Sequence, residues 1–290
     1  MMLQTILEDL ARDSSARFRD SQILDIRFGE ETITDLVLLE LKRLSPQNVL
    51  ILQTSKAAEA STGTDWEWWI GSDRVGWTRY AVQAKKMNWD TERYNSITQR
   101  TGSKLQIDVL DAFAASNGAI PLYCFYNSAT STAKSAWNCC KAFDAPQLAC
   151  TVTPSAIVRP CISTRGTKNF SWMHSHIETV PWRCLTCPTT TKRYQRWVTP
   201  EPLDANESSE EEKPLDSKVQ RTNVPDSPPR RSAHYETLPR VIREARQRGR
   251  LEQFPYELYD DNQSYPRRIL VLESSVEDEA RGGVQHGGED

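Results

Sequence analysis

The sequence predicts an α/β (α+β) protein with a central mixed sheet flanked by helices. The observations behind this prediction are amphipathic helical patterns, short apolar runs suited to strands, and the order in which the two alternate along the chain. That order is helix, short strands, helix and strand, which is typical of a sheet layered against helices.

Two helices are predicted at the start of the chain. The first is indicated by apolar residues at helical spacing, Leu3, Ile6, Leu7 and Leu10. A clearer amphipathic pattern, with Ile33 and Val37 on its apolar stripe, predicts a second helix from Glu30 to Leu44. The apolar run at 50–53 then predicts a strand.

A hairpin-like pair of strands is predicted over 65–70 and 80–85, joined through Gly71 and Gly76. A helix over 103–116 follows, and the Asn117-Gly118 pair ends it because these residues readily take the backbone conformation found past a helix C-terminus. The sequence AIPLYCFY, 119–126, predicts a buried strand.

The composition changes near residue 199. Residues 199–235 are rich in Pro, Ser and charge and cannot bury enough apolar surface to offset their ordering entropy, so we expect a disordered linker there and a similar tail at 276–290. The main domain is therefore 1–198. Between linker and tail, 236–275 is a short helix–strand return, with a basic helix over 238–252 and a strand over 267–273. This strand either adds to an edge of the main sheet or belongs to a small partner-binding module.

Charge and composition exclude several classes of protein. The chain carries 36 Lys and Arg against 39 Asp and Glu, which excludes a uniformly basic nucleic-acid coat but not a local basic cleft. No apolar run approaches the roughly 18 residues of a membrane span, and the start lacks the pattern of a secretory signal. Seven cysteines, an odd number, indicate reduced thiols. We expect a soluble cytoplasmic protein with no membrane partner; the sequence carries no signal for an oligomeric state.

Polar residues are predicted to gather on the hairpin. Strand alternation places Asp65 and Glu67 on one face, and Gln83 and Lys85 on one face of the next strand. If the two polar faces align, carboxylates, an amide and a lysine meet. On the preceding helix, Glu31 lies opposite the apolar stripe and Glu30 lies closer to the core, so either glutamate can approach.

Such a cluster suits metal-dependent hydrolysis. Carboxylate and carbonyl oxygens are the ligands that Mg²⁺ prefers. A nearby lysine can orient an attacking water and stabilise charge that develops on a phosphate.

The segments GEETITD, TGTDWEWWIG and VQAKK together resemble the PD-(D/E)xK, or restriction-endonuclease-like, nuclease superfamily in its Gln-x-Lys variant. They also resemble a family of uncharacterised proteins assigned to that superfamily, and the resemblance extends over roughly 24–127. It implies a restriction-endonuclease-like domain over 1–198 that hydrolyses phosphodiester bonds of DNA with Mg²⁺ or Mn²⁺, with a role in defence.

The resemblance also implies roles for individual residues. Asp65 corresponds to the central metal ligand, Gln83 occupies the usual acidic position and supplies a carbonyl oxygen, and Lys85 corresponds to the catalytic lysine. Glu31, or in second place Glu30, matches the helical glutamate that completes the metal site.

Other positions extend or depart from the pattern. Gln106 lies where some relatives place a helical glutamine near the site. Thr64 replaces the usual proline, and Gln83 lacks a negative charge that Glu67, on the same face as Asp65, would restore.

The main alternative is a catalytically inactive nucleic-acid- or protein-binding module of the same fold. A blander interpretation pairs Asp65 and Glu67 with Lys85 and Arg79 across the strands.

Two further patterns have alternative interpretations. His174-x-His176 and Cys184-x-x-Cys187 supply the ligands of a possible zinc site, although buried thiols explain the cysteines equally well. Of the tryptophans near the hairpin, Trp69 or Trp89 could stack on bases, and the alternative interpretation is that Trp66 and Trp68 form part of the core. Lysines and arginines near the hairpin suit a phosphate backbone: Arg79, Lys85, Lys86, Arg93, Arg100 and Lys104.

Overall fold

A mixed eight-stranded sheet with helices on both faces forms the centre of the structure. The structure is a computed structural model that describes residues 2–45, 47–53, 62–128, 135–164, 166–195, 233–248 and 268–274. This architecture confirms the predicted α+β fold class. The predicted tail and nearly all of the predicted linker lie outside the described residues.

The helices follow the predicted pattern closely in the first half of the chain. The second helix begins and ends where the sequence predicts, whereas the third begins three residues later than expected because 104–105 pair with 100–101. Within the described residues the helices are α1 (Leu3–Ile23), α2 (Glu30–Leu44), α3 (Gln106–Asn117), α4 (Ser155–Ser163), α5 (Phe170–His174), α6 (Pro188–Gln195) and α7 (Arg240–Arg248). Short 3-10 helices lie at Asn95–Thr98, Ala145–Ala149 and Trp182–Thr186.

The strands are numbered in chain order. They are β1 (Val49–Gln53), β2 (Trp66–Ser72), β3 (Gly76–Lys86), β4 (Arg100–Thr101), β5 (Lys104–Leu105), β6 (Ile120–Tyr126), β7 (Cys150–Pro154), β8 (Val180–Pro181), β9 (His234–Tyr235) and β10 (Arg268–Glu273). The main sheet runs β1-β10-β2-β3-β6-β7-β8, and β9 pairs with β3. As predicted, β2 and β3 form an antiparallel hairpin, and α3 crosses from β3 to the parallel strand β6.

Strand β10, from the return after the linker, lies inside the main sheet. It runs antiparallel to β1 and parallel to β2, with Leu270 opposite Ile51 and Trp68. The strand therefore belongs to the main sheet, but its predicted place at an edge is wrong. An interior place suits its sequence because Ile269, Leu270, Val271 and Leu272 are all buried, on alternating faces.

The two faces of the hairpin have separate cores. Trp66 and Trp68 pack with α1 and α2 on one face, as predicted. Trp69 lies on the other face against Tyr235, with ring centroids 4.9 Å apart. Because Trp69 is only 1% exposed, it cannot stack on bases. In the described part of the chain, no helix is long and apolar enough to cross a membrane.

Candidate active site

Asp65 lies at the bend that precedes β2. Its backbone N–H donates to the carbonyl of Val82 at 2.8 Å, and its Oδ2 accepts from the backbone N–H of Ala84 at 2.6 Å and from the side-chain amide of Gln83. These bonds hold the carboxylate against β3 in one orientation.

The chain reaches Asp65 through a close approach to α3. Gly63 has a φ of +64°, and a Cβ at this position would lie 2.9 Å from the backbone nitrogen of Leu110. Only glycine fits this contact without a shift of the backbone. The glycine therefore allows the helix that begins at Gln106 to pack directly against the segment that carries Asp65.

The side chain of Gln83 is buried beside Asp65. Its Nε2 donates to the Asp65 carboxylate, while its Oε1 is buried and accepts no hydrogen bond from the residues that the structure describes. Gln106, at the first turn of α3, also has a buried Oε1 that accepts no hydrogen bond from the described residues. A buried carbonyl oxygen without a donor is costly unless a cation or water completes it, so the donor set fits a metal such as Mg²⁺.

Lys85 is the buried cation of the site. Its side chain is only 1% exposed, and its Nζ lies 3.7 Å from Oε1 of Glu30, whose side chain is 30% exposed. The other carboxylate oxygen of Glu30 accepts from the backbone N–H of Lys86 at 2.9 Å. Glu30 thus links the start of α2 to the end of β3 and compensates the charge of Lys85.

Of the two glutamates predicted for the helix, Glu30 contacts Lys85 and Lys86, whereas Glu31, the first choice, does not. Glu30 precedes Ile33 by three residues, so both lie on the side of α2 that packs on the sheet. Glu31 is rotated by about 100° from Glu30 and is exposed to solvent.

Glu67 is predicted to add charge beside Asp65, but its carboxylate contacts other residues. Its carboxylate accepts from Trp69 Nε1 and forms an ion pair with Arg79 at 2.7 Å. Arg79 also donates to the carbonyl of Asn117 at 2.6 Å. Glu67 therefore does not restore the charge that Gln83 lacks, and Arg79 belongs to the interior and not to a basic cleft.

Other basic residues remain near the end of β3. Lys86 Nζ donates to the carbonyl of Phe28 at 2.7 Å and lies 4.0 Å from the centroid of the Trp89 ring. Partial burial, and then the charge of Arg27, lower the pKa of Lys86. The exposed residues Arg100 and Lys104 lie on the β4–β5 hairpin that precedes α3.

Tyr123 is a polar neighbour of the site that the sequence patterns did not single out. It lies opposite Gln83 in the parallel β3–β6 register. Its hydroxyl is buried and unpaired among the described residues, and desolvation by burial raises its pKa well above the usual value. The alternation of AIPLYCFY places Tyr123 on one face, but only the β3–β6 pairing brings it beside Gln83.

The four residues of the predicted zinc site do not form one. His174 is fully buried, with Nδ1 2.9 Å from the carbonyl of Phe170 and Nε2 3.1 Å from Thr151 Oγ1, so both ring nitrogens are occupied. His176 packs edge-on against Trp172, while Cys184 contacts Cys139 and Cys187 is half-buried. In the described part of the chain, no group of three or more His, Cys, Asp or Glu side chains is placed to hold a metal ion.

The fold and the site define an α+β protein with a carboxylate–amide–lysine cluster where two central strands meet a helix. Residues 3–278 match the model of DUF6615, a family of unknown function. The chain belongs to this family. No match was found among curated proteins.

Proposed function

We propose that the protein is a Mg²⁺- or Mn²⁺-dependent nuclease that hydrolyses phosphodiester bonds of DNA. The observation that carries this proposal is that Asp65 is hydrogen-bonded to Gln83, and that a fully buried Lys85 lies two residues further along the same strand, at one end of the β2–β3 hairpin. A lysine is costly to bury, and a functional role would explain its burial at this position. The resemblance of the same residues to the PD-(D/E)xK superfamily supports this interpretation, and it alone suggests a role in defence.

Asp65, Gln83 Oε1 and Glu30 are the groups that would hold the metal ion. When bound, the ion supplies positive charge that stabilises the pentavalent phosphate of the transition state. Ala84 N–H fixes the orientation of the Asp65 carboxylate. Lys85 donates hydrogen bonds that orient the attacking water, and Glu30 holds the side-chain nitrogen of Lys85 in place.

The basic residues near the cluster suit a polyanionic substrate, and the cysteines suit a location inside the cell. Lys86 at the end of β3 and the exposed Arg100 and Lys104 would contact phosphates of the DNA backbone. All seven cysteines are free thiols, which supports a cytoplasmic location for the nuclease.

The second candidate function is a catalytically inactive module of the same fold that binds nucleic acid or protein. The observation that favours it is the small number of acids at the site. Glu31 is exposed and Glu67 is neutralised by Arg79, so Asp65 and Glu30 are the two carboxylates that accompany the neutral Gln83.

Cleavage assays with a matched pair of glutamate variants test the nuclease proposal. Supercoiled plasmid and labelled oligonucleotides are incubated with Mg²⁺ or Mn²⁺ and with wild type, Lys85→Met, Asp65→Asn, Glu30→Gln or Glu31→Gln. Loss of a preorganised charged group costs about 100-fold or more in rate, so we expect this loss in the first three variants. Glu31→Gln should cut at the wild-type rate because Glu31 lies outside the cluster.

Metal binding provides a readout that does not depend on cleavage. We expect Mn²⁺ to raise the Tm of wild type, because a ligand that binds the folded state stabilises it, and to leave the Tm of Asp65→Asn unchanged. Cleavage that survives Lys85→Met and Asp65→Asn would contradict the proposed site. Metal and DNA binding without cleavage would favour the inactive module.

A further inference from the structure

Two cysteine thiols touch each other at a point remote in sequence from the candidate active site. Cys184 lies in the 3-10 helix Trp182–Thr186, and its Sγ lies 3.3 Å from Sγ of Cys139. Cys184 is only 5% exposed, whereas Cys139 is half-buried and reaches solvent. The Cys139 thiol, which solvent can reach, is therefore in contact with the Cys184 thiol, which is protected from solvent.

A buried guanidinium faces the accessible thiol. Arg183 Nη2 donates to Cys139 Sγ at 3.3 Å, although Arg183 is only 4% exposed. Its Nη1 lies 3.3 Å from Oε1 of Glu8, which also pairs with Lys141, and its guanidinium lies 5.0 Å from the centroid of the Trp137 ring. Arg183 is thus held in place from several sides.

This environment favours the thiolate form of Cys139. The hydrogen bond from Cys184, with contributions from the Lys141 backbone and Arg183, lowers the pKa of Cys139 to about 5. The neighbouring Cys140 is exposed, and desolvation raises its pKa. The lowered pKa makes Cys139 the more reactive of the two adjacent cysteines, and the raised pKa makes Cys140 the less reactive one.

We propose that Cys139 is a peroxide-reactive thiolate and that Cys184 resolves its oxidised form into an intrachain disulfide. The proposal is independent of the nuclease activity. It assigns the thiol pair as a modification site whose co-reactant is a small hydroperoxide, such as hydrogen peroxide.

The reaction balances in two steps. The Cys139 thiolate attacks one peroxide oxygen, the O–O bond breaks, and the leaving hydroxide takes a proton from solvent, which gives a sulfenic acid and water. Sγ of Cys184 then attacks Sγ of Cys139, the S–O bond breaks, and the hydroxide leaves as water with the proton of Cys184. The sulfurs lose two electrons in total, and the peroxide gains them.

The geometry makes the second step a local movement. The sulfurs must approach from 3.3 Å to a bond length of about 2.0 Å. Trp182 is buried against Trp68, with ring centroids 5.4 Å apart, and so anchors the helix that carries Cys184. We expect the segment of Cys139 to move toward it, and the disulfide to tie residues 135–144 to the core.

The test uses the full chain, reduced and transferred to buffer without thiols at pH 7. After treatment with hydrogen peroxide, peptide mapping without reduction should recover a peptide that joins Cys139 to Cys184 and separates again with dithiothreitol. Cys140→Ser, the matched control, should form the same disulfide at the wild-type rate. Cys184→Ser should stop at a sulfenic acid on Cys139, which dimedone traps.

Rates provide a second measurement. Reaction of Cys139 should be nearly independent of pH between 6 and 8, whereas that of Cys140 should rise about tenfold per unit. Circular dichroism confirms that each variant is folded. A disulfide through Cys140 or Cys187, or an unreactive Cys139 in folded protein, would overturn the proposal. Stoichiometric zinc in freshly purified protein that is lost in Cys139→Ser would also overturn it, because the thiols would then be metal ligands.

Discussion

Two buried basic residues on β3, Arg79 and Lys85, have different surroundings. Arg79 is bound to Glu67 at 2.7 Å, and both side chains are nearly inaccessible. Lys85 is equally buried but lies 3.7 Å from Glu30, longer than a hydrogen bond, and the glutamate reaches solvent. The first pair is in hydrogen-bond contact inside the protein, whereas the longer distance between Lys85 and Glu30 leaves the ammonium group able to donate to a water or phosphate.

His174 is a third buried titratable residue, and its hydrogen bonds define its protonation. The carbonyl of Phe170 can only accept, so Nδ1 donates to it and Nε2 accepts from the hydroxyl of Thr151. Desolvation by burial lowers the pKa of His174 to about 4. The imidazole is therefore neutral in the folded protein under conditions in which an unfolded chain is partly protonated.

At the residue scale, we predict that His174 makes the protein less stable in mild acid. Between the unfolded pKa of about 6.5 and the folded pKa of about 4, the unfolded state binds more protons, so stability falls as the pH falls through this window. The expected contribution is about 2 kcal/mol between pH 7 and pH 5. Urea denaturation at both pH values measures it, and His174→Gln is the variant that lacks this contribution. An equal pH dependence in both proteins would contradict the prediction.

At the scale of elements, the β2–β3 hairpin sets the geometry of the candidate site. Its antiparallel register brings the start of β2 beside the end of β3, so Asp65 contacts Gln83 and Ala84 even though the residues are well separated in sequence. The far end of the same hairpin is closed by a tight turn at which Gly71 lies against Gly76. The register depends on that turn.

We predict that Gly71→Ala is far more damaging than Gly102→Ala. Both glycines have positive φ, but a Cβ on Gly71 would lie 2.0 Å from the carbonyl oxygen of Gly76, whereas a Cβ on Gly102 would meet no atom of the described residues within 4 Å. Strain alone costs about 1 kcal/mol at Gly102, and the clash should bring the cost at Gly71 to about 3 kcal/mol or more. Urea denaturation compares the two, and equal losses would show that the contact with Gly76 is unimportant.

At the scale of the whole molecule, the sheet is continuous only because residues distant in sequence complete it. Strand β10 fills the gap between β1 and β2, and its Arg268 pairs with Asp35 of α2. On one face of the sheet, Leu238 and Ile242 pack with Ile269 and Val271. The first part of the chain therefore does not contain the complete core.

We predict that a chain ending at residue 266 does not fold cooperatively. Without β10, the facing edges of β1 and β2 lose their partners, and the core on both faces loses buried aliphatic side chains. A chain ending at residue 274 keeps every described contact and should melt like the full chain. Size-exclusion chromatography and thermal denaturation distinguish the two, and a cooperative transition in the shorter chain would contradict this role for β10.

The sequence alone determined the elements whose apolar pattern is regular and local. Alternation placed Gln83 and Lys85 on one face of β3, although it left open whether that face aligns with Asp65, and the helical period defined both ends of α2. The Asn117-Gly118 end of α3 was also predictable, since Gly118 has the left-handed conformation that such a helix end requires.

Tertiary packing decided which contacts residues and strands make with partners distant in the sequence. Periodicity leaves neighbouring helical positions ambiguous, so only the packing of α2 on the sheet selected Glu30 over Glu31. Residue spacing allowed Glu67 either to add charge beside Asp65 or to pair with Arg79, and the structure has the pair with Arg79. Spacing also could not show that Cys139, not His174, contacts Cys184. The interior place of β10 arises from pairing with both neighbours at once, and a local pattern cannot encode which edge of a sheet is open.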